Sequence, residues 1–466
     1  MDIIETLTGI VGASHVLTGQ DAAKFTRDWT GKFTWEPLAV VRPAATAEVS
    51  ACAAACYAAG ITMVPVGGNT GLNGGTAAGG AVMVSLERMN AVRAVKPASR
   101  VAVVESGAVL DTIHAAAEAH GLVFPLTFGA RGSAMIGGAL STNAGGSNVV
   151  RYGNTRDLCL GLEVVLADGR VMDLMSELRK DNTGYNLRNL FVGAEGTLGF
   201  ITAAVLKLFP APRVRATAMV ALRSLEDALP LLNELQEATG AGIEAFEYMP
   251  RHYVEKHLAH GGREPFEDAH EINVLVEAAS TRGDDAAPGE DGAPVLVERV
   301  QNILMGAMNS GTVADAVVAQ NEAQRTEMWA RRELAGELTF DRLPIIDTDV
   351  AVPLDQVPEF LRQVRARVRD HDAGAEDFIV SHLGDGNIHY TVYPTSDDPD
   401  LRVRVIETIE DVTLGLNGSF SAEHGIGISK LGSMERRKDP VALEAMRAVK
   451  AALDPKGLLN PGKVLP

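Results

Sequence analysis

Residues 65–75 read PVGGNTGLNGG, the end of an apolar strand running into a loop with five glycines among eleven residues. Glycine reaches backbone angles closed to other residues, so such a loop can turn successive N–H groups toward an anion. The stretch lacks the Gly-Lys-Ser/Thr ending of a P-loop and the Gly-x-Gly-x-x-Gly spacing of a dinucleotide fingerprint. Alone it reads equally well as a phosphate cradle or as a tight surface turn.

The flanking sequence favours the cradle. FPLTFGARGSAMIGGALSTNAGGSN at 124–148 keeps glycines, small residues and amide or hydroxyl side chains together over twenty-five positions, more than a turn needs. DNTGYNLRNLFVGAEGTLGFITAAVLKLF at 181–209 again sets a Gly-rich turn before a β-type run. From about residue 38, short β-rich runs (LAVVRP, ITMVPVGG, AVMVSL, VAVVESG) alternate with helical stretches at 46–59 and 109–120, indicating an α/β region. Three glycine loops in one such region suit an extended ligand such as a flavin dinucleotide.

A chain of 466 residues is long enough for two or three domains with their own cores. Its net charge of -18 argues against a nucleic-acid surface, which needs clustered Lys and Arg. Cys52, Cys56 and Cys159 form no disulfide framework, and the first two, four apart, read as one buried helix face. No apolar run approaches the roughly 20 residues of a membrane helix. The start, MDIIETLTGIVG, has acidic residues where a signal peptide places basic ones, so the cytoplasm is the expected location.

After LKLFPAPRVRA at 206–216 the texture changes, with helical periodicity at 224–239 and 293–309 and strand-like runs at 217–222 and 272–278. This marks a second domain. TRGDDAAPGEDGAP at 281–294 reads as a solvated loop. The chain closes with a helix over about 439–453, stopped by Pro455, and an ordered tail.

The second informative stretch is SHLGDGNIHYTVYP, Ser381 to Pro394, with β-type runs on both sides of Asp385-Gly386. Asp-Gly between strands predicts a two-residue type I′ turn, which would set Gly384 opposite Asn387, Leu383 opposite Ile388 and His382 opposite His389. Opposed residues have Cβ atoms about 5 Å apart, close enough for two imidazoles to share a cation. In SFSAEHGIGISKLG, at 419–432, Glu423 and His424 precede Gly425-x-Gly427, whose tight backbone could aim them into a cavity. A His382/His389/Glu423 set with an open position suits Zn²⁺, or Mn²⁺ or Fe²⁺, and His424 would accept a proton near neutral pH.

The three glycine segments, in order and spacing, resemble the FAD-binding domain of the vanillyl alcohol oxidase/para-cresol methylhydroxylase superfamily. The resemblance implies an α+β architecture: a two-part FAD-binding domain, an α+β substrate (cap) domain, and a C-terminal segment returning to the first. The expected boundaries are 1–212, 213–415 and 416–466. It implies FAD contacts from Pro65, Gly67, Gly68, Asn69, Thr70 and Gly71, with the Gly67–Gly71 loop on the pyrophosphate. Gly132, Ser133, Gly137, Gly138, Asn143 and Gly145 would follow in the second loop, and Glu195, Gly196 and Gly199 in the third. Ile201 would lie near the adenine end, and Asn460, in LDPKGLLNPGKVL, near the cofactor. Some members attach FAD covalently through a His in the first loop; Asn69 stands there in this chain, so dissociable FAD is expected.

Within that superfamily the 381–394, 419–432 and C-terminal segments are similar to the branch of D-2-hydroxyglutarate dehydrogenase, D-lactate dehydrogenase and the glycolate oxidase flavoprotein subunit. The likeness covers nearly the whole chain. It implies His382, His389 and Glu423 as metal ligands, His424 as the substrate-facing acid-base residue, and Arg332 as the group for a substrate carboxylate. It further implies a small 2-hydroxy acid substrate, an electron-transfer flavoprotein, quinone or other acceptor, and compatibility with a homodimer. The pattern departs at Gly336 for a Thr, Asp347 for a substrate-binding Lys, and Thr391 for an Asn on the substrate side. Two other readings stand beside this one: a metal-free FAD alcohol or sugar oxidase, and a non-catalytic flavin-binding electron-transfer subunit.

Overall fold

The computed structural model describes residues 2–466. The chain divides into two compact units: the first is 1–145, 153–210 and 423–466, the second 146–152 and 211–422.

The first unit holds two larger sheets and a two-stranded one of Leu122–Val123 and Phe209–Pro210. In the smaller of the two larger sheets, Ala39–Val41, Val82–Ser85 and Met63–Val66 run parallel, with Val16–Leu17 antiparallel at one edge. The helix Thr46–Ala59 supplies the crossover that a parallel pair requires. It buries Val49, Cys52, Ala53 and Cys56, the helical spacing of one face, against Met63, Val82 and Val84. Gly60, at φ 69°, ends it in the left-handed conformation that glycine adopts without cost.

The C-terminal stretch adds itself to the Met63 strand, where the Met63 amide donates to Leu458 O (2.8 Å) and the Asn460 amide to Met63 O (2.7 Å). Before it, Pro440–Leu453 forms a helix capped by Asp439, whose side chain accepts from the Ala442 amide at 2.8 Å. The larger sheet is antiparallel, in the order Val92–Lys96, Val101–Glu105, Phe200–Lys207, Cys159–Val165, Val171–Leu174.

The second unit is one seven-stranded antiparallel sheet, in the order Val313–Val318, Val214–Leu222, Ile272–Ser280, Ile243–Pro250, Glu376–His382, Asn387–Tyr393, Ile346–Ala351. Strand side chains alternate between faces. Val220, Phe246, Val276, Ile379, Ile388 and Val350 point one way, into a core with the helices Ala228–Thr239, Val295–Ser310, Val357–His371 and Pro399–Gly415. The opposite face packs Met219, Met249, Leu275, Phe378 and Val380 against Tyr253, Met328 and Leu338 from three other helices.

The 281–294 stretch is mostly exposed, as expected of a solvated loop, and one of its residues is buried. Gly283–Ala286 makes one helical turn, and Asp285, 5 % exposed, accepts from Ser280 Oγ (2.6 Å) and Arg299 Nη2 (2.9 Å). A buried carboxylate with two donors anchors this stretch.

Candidate active site

The second face of the seven-stranded sheet is not uniformly apolar. At alternate positions it carries Thr217, Glu247, Asn273, Glu277, Asp349, His382 and Thr391, all buried. Polar groups are kept at such positions only when partnered, so each one points to a network. Glu277 accepts from Arg325 Nε (2.7 Å) and Nη2 (2.9 Å), Trp329 Nε1 (2.9 Å) and Thr217 Oγ1 (2.7 Å). Those bonds clamp the helix Glu322–Glu333 to the sheet, and that helix presents Arg332 near its end.

Arg332 does not stand alone. Its Nε donates to Glu247 Oε2 at 2.7 Å, and Glu247 Oε1 lies 2.9 Å from His382 Nδ1. Burial pushes the Glu247 carboxyl up, but the charges of His382 and Arg332 and their hydrogen bonds outweigh it, holding it down to about 2. An ionised Glu247 fixes the His382 tautomer with the proton on Nδ1, while Arg332 Nη2 lies 3.4 Å from Nε2. Arg331 faces elsewhere, with Nη2 on Arg263 O at 3.1 Å.

The hairpin register expected from Asp385-Gly386 is wrong. His382 pairs with Asn387, Ser381 with Ile388 and Val380 with His389, leaving the four residues Leu383–Gly386 as the loop. Local turn preference lost to neighbouring strands: the Gly384 amide donates to Phe246 O (3.0 Å) and the Val352 amide to Gly386 O (3.1 Å). The pairing moved by two residues, which preserves which face each side chain occupies. His382 and His389 therefore still share a face as diagonal neighbours, ring centroids 5.5 Å apart.

His389 sits opposite Asp349 on the next strand, Nδ1 to Oδ1 3.9 Å, and Asn387 Nδ2 donates to the same Asp349 oxygen at 2.9 Å. Thr391 Oγ1 donates to Asp347 Oδ1 at 2.9 Å, so these two departures from the family pattern are partners of each other.

In the first unit the three glycine loops pack on one another. A Cβ on Gly68 would stand 2.1 Å from Ser133 O, one on Gly137 2.7 Å from Ser106 Cβ, one on Gly196 2.4 Å from Pro65 Cγ, and one on Gly199 2.5 Å from Val164. Gly67 lies in ordinary contact with Met135. Gly71 and Gly138 differ, since a Cβ on either would meet nothing within 4 Å. Bare backbone facing open space beside tightly packed loops fits a bound dinucleotide.

Asn460 fits it too: Nδ2 donates to Gly75 O (3.1 Å) and Glu195 O (2.7 Å), and the buried Oδ1 has no partner among the described residues. Asn69, at φ 54°, is held by Arg27 O and Thr76 Oγ1. Asn143, at φ 53°, accepts from the Arg156 amide, and Ile201 is buried in its strand. Thr70 is half-buried, Gly132 and Ser133 are exposed, and Gly145 is buried.

Glu423 and His424 follow directly on a segment bound to the Asp349 strand. Ser419 and Ala351 exchange amide hydrogen bonds (2.7 and 2.9 Å), and the Ala422 amide donates to Asp349 O at 3.2 Å. Asp349, His389, Glu423 and His424 make a group of donors that could hold a metal ion. Two imidazoles with two carboxylates is the chemistry of a divalent first-row cation site. Glu247 and Asp349 were not singled out from sequence; the available signal was an acid at an inward position of a buried strand.

Two family models match: "FAD binding domain" over residues 37–175 and "FAD linked oxidases, C-terminal domain" over 211–464. The chain is 36% identical over 454 residues to a D-2-hydroxyglutarate dehydrogenase of Xanthomonas citri pv. viticola, covering 95% of this chain and 92% of that protein. It is 34% identical to one of Stutzerimonas stutzeri (99% and 98% covered) and 35% identical to the mitochondrial one of Bos taurus (94% and 79%).

Among solved structures it resembles p-cresol methylhydroxylase (TM-score 0.74, 16% identity, 99% of this chain and 96% of that one). It also resembles 4-ethylphenol oxidase from Gulosibacter chungangensis (TM-score 0.73, 18% identity, 100% and 97%). The fold is thus that of the vanillyl alcohol oxidase/p-cresol methylhydroxylase group. The chain belongs to the FAD-linked oxidase family and is an FAD-dependent oxidoreductase. No helix among the described residues is long and apolar enough to cross a membrane.

Proposed function

We propose that the chain oxidises a D-2-hydroxy acid of the 2-hydroxyglutarate type to the 2-oxo acid, assisted by a divalent cation, with Zn²⁺ first in expectation. The observation that carries the reading is the pair of carboxylate–histidine contacts on one sheet face, Glu247–His382 and Asp349–His389, together with the donor group Asp349, His389, Glu423 and His424. A carboxylate behind each imidazole is the arrangement that orients a histidine toward a metal.

In this reading His389 and Glu423 would hold the cation with Asp349 completing or backing the set, and His382, which lies outside that donor group, would join them by turning Nε2 from Arg332 to the cation. When bound, the cation supplies a Lewis acid for the substrate's carboxylate and hydroxyl oxygens. His424 takes the C2 hydroxyl proton onto its imidazole. When bound, FAD supplies the two-electron acceptor for the hydrogen leaving C2. Arg332, fixed at Nε by Glu247, turns the rest of its guanidinium to the substrate's carboxylate, a match of planar donors to planar acceptor. Asp347 and Thr391 line the side where the substrate's tail would lie, so D-lactate and other tails stand as alternatives there.

The test is anaerobic bleaching of the purified yellow protein by a panel of D- and L-2-hydroxy acids. Reduction by a D acid, lost on metal removal, supports the reading. Reduction that survives complete metal removal moves the chain to the metal-free alcohol or sugar oxidases, and no reduction by any D acid moves it to the electron-transfer subunits.

A further inference from the structure

The segment His424–Ser429 has almost no regular structure, yet its backbone must find hydrogen-bond partners. Glu195 and Asn73 of the first unit supply several of them. The amides of Ile426 and Gly427 converge on the carboxylate of Glu195, at 2.7 and 2.8 Å. The carbonyls of His424 and Gly425 both accept from Asn73 Nδ2, at 3.0 and 2.8 Å. Asn73's own carbonyl accepts from the amides of Ile428 (2.7 Å) and Ser429 (3.3 Å).

The fit is close. A Cβ on Gly425 would stand 2.8 Å from Glu195 Oε1, and one on Gly427 2.0 Å from Asn73 O. Both glycines are also in the left-handed region, at φ 73° and 52°. The Gly-x-Gly after Glu423-His424 is therefore the imprint of these two residues on the loop.

Both residues belong to the cradle. Asn73 lies two positions beyond Gly71 in the first glycine loop. Glu195 heads the third, in a left-handed conformation of its own (φ 50°), with its amide on Ser141 O (2.8 Å) and its carbonyl accepting from Asn460 Nδ2 (2.7 Å). Gly196, next in the chain, packs on Pro65, where the first loop begins. The family resemblance implies Glu195 among the FAD contacts, and its carboxylate accepts from the two loop amides.

We propose that Glu195 and Asn73 are positioning residues that set the backbone of His424 from the FAD cradle, so that the proton acceptor is aligned by the loops that hold the flavin. The inference rests on the reading of His424 as the proton acceptor. It makes His424 alignment depend on cradle integrity, and it separates FAD retention from substrate oxidation at Glu195.

The test uses FAD-loaded Glu195→Gln, which keeps size but gives the two amides one oxygen and an opposing NH₂. Hydrogen–deuterium exchange should speed up at Ile426 and Gly427 by at least tenfold, with rates referred to the FAD-loaded fraction. The first-order rate of anaerobic flavin reduction should fall by about tenfold to a hundredfold, and Glu195→Asp should recover part of both. In the double variant Glu195→Gln/His424→Asn, reduction should be no slower than in His424→Asn alone, because a positioning residue has nothing left to position.

Asn73→Ser, which removes the Nδ2 donor and keeps the carbonyl, gives the same comparison and decides the matter if Glu195→Gln does not fold. Unchanged exchange at Ile426 and Gly427, or losses that add fully in the double variant, would overturn the proposal. Wild-type reduction by His424→Asn alone would instead overturn the role given to His424.

Discussion

Nδ1 of His382 lies 2.9 Å from Oε1 of Glu247, a buried carboxylate 135 residues earlier in the chain whose other oxygen holds Arg332. One acid thus orients both a proposed metal ligand and a proposed substrate-binding cation.

Glu247→Gln should therefore damage two functions at once. Losing the charged partner of a ligating histidine lowers metal affinity by about tenfold to a hundredfold, and a released Arg332 raises the KM for the hydroxy acid. Metal titration and steady-state kinetics check this. Wild-type metal affinity in the variant would show that His382 needs no orienting carboxylate.

In the proposed reading the substrate's tail lies toward Asp347 and Thr391, which are joined at 2.9 Å. A carboxylate here opposes a second carboxylate on the substrate, worth about 1–4 kcal/mol at 4 Å depending on screening. Asp347→Lys should raise kcat/KM for D-2-hydroxyglutarate relative to D-lactate by about tenfold or more. A ratio that stays constant would take this position out of tail selection.

Glu277 tests the support under Arg332. Burial raises its carboxyl, but Arg325, Thr217 and Trp329 outweigh burial and hold it below its ordinary value. A depressed carboxylate stabilises the fold above its unfolded value of about 4.3, and the contribution disappears as pH falls through the lower folded value. Glu277→Gln should cost roughly 2–3 kcal/mol at pH 7 in urea unfolding, with the gap to wild type narrowing below about pH 4. An equal gap at both pH values would contradict the assignment.

Gly68 and Gly71 distinguish packing from cofactor contact. Gly68→Ala drives a methyl to within 2.1 Å of Ser133 O and should destabilise the first unit by roughly 1–3 kcal/mol. Gly71→Ala meets nothing within 4 Å in the chain itself, so stability should hold in the FAD-free protein while FAD affinity falls. Thermal melts with and without FAD read both. Unchanged FAD affinity in Gly71→Ala would remove this loop from the cofactor surface.

Much of this was legible in the sequence because it was local. Strand-to-glycine-loop texture marked the cradle, the Cys52/Cys56 spacing marked a buried helix face, and His389, Glu423 and His424 stood out by residue type. The hairpin register was not legible, because the hydrogen bonds that Gly384 donates to Phe246 O and Gly386 O accepts from the Val352 amide overrode the turn preference of Asp385-Gly386. Glu247, Asp349 and the clamp of Glu195 and Asn73 on the 424–429 loop were hidden for the same reason. Their side-chain hydrogen-bond partners lie 38 to 352 residues away, and a single sequence does not say which strands and loops become neighbours.

The central claim, metal-assisted removal of hydrogen from C2 of a D-2-hydroxy acid, is tested most directly by stopped-flow flavin reduction without oxygen. The substrates are D-2-hydroxyglutarate, unlabelled and deuterated at C2, and its L enantiomer, with metal-replete and metal-stripped enzyme. The account predicts reduction by the D acid alone, a primary isotope effect of about two or more, and loss of reduction on stripping that returns with Zn²⁺, Mn²⁺ or Fe²⁺. Equal rates with and without metal, or reduction by the L acid as fast as by the D acid, would contradict it.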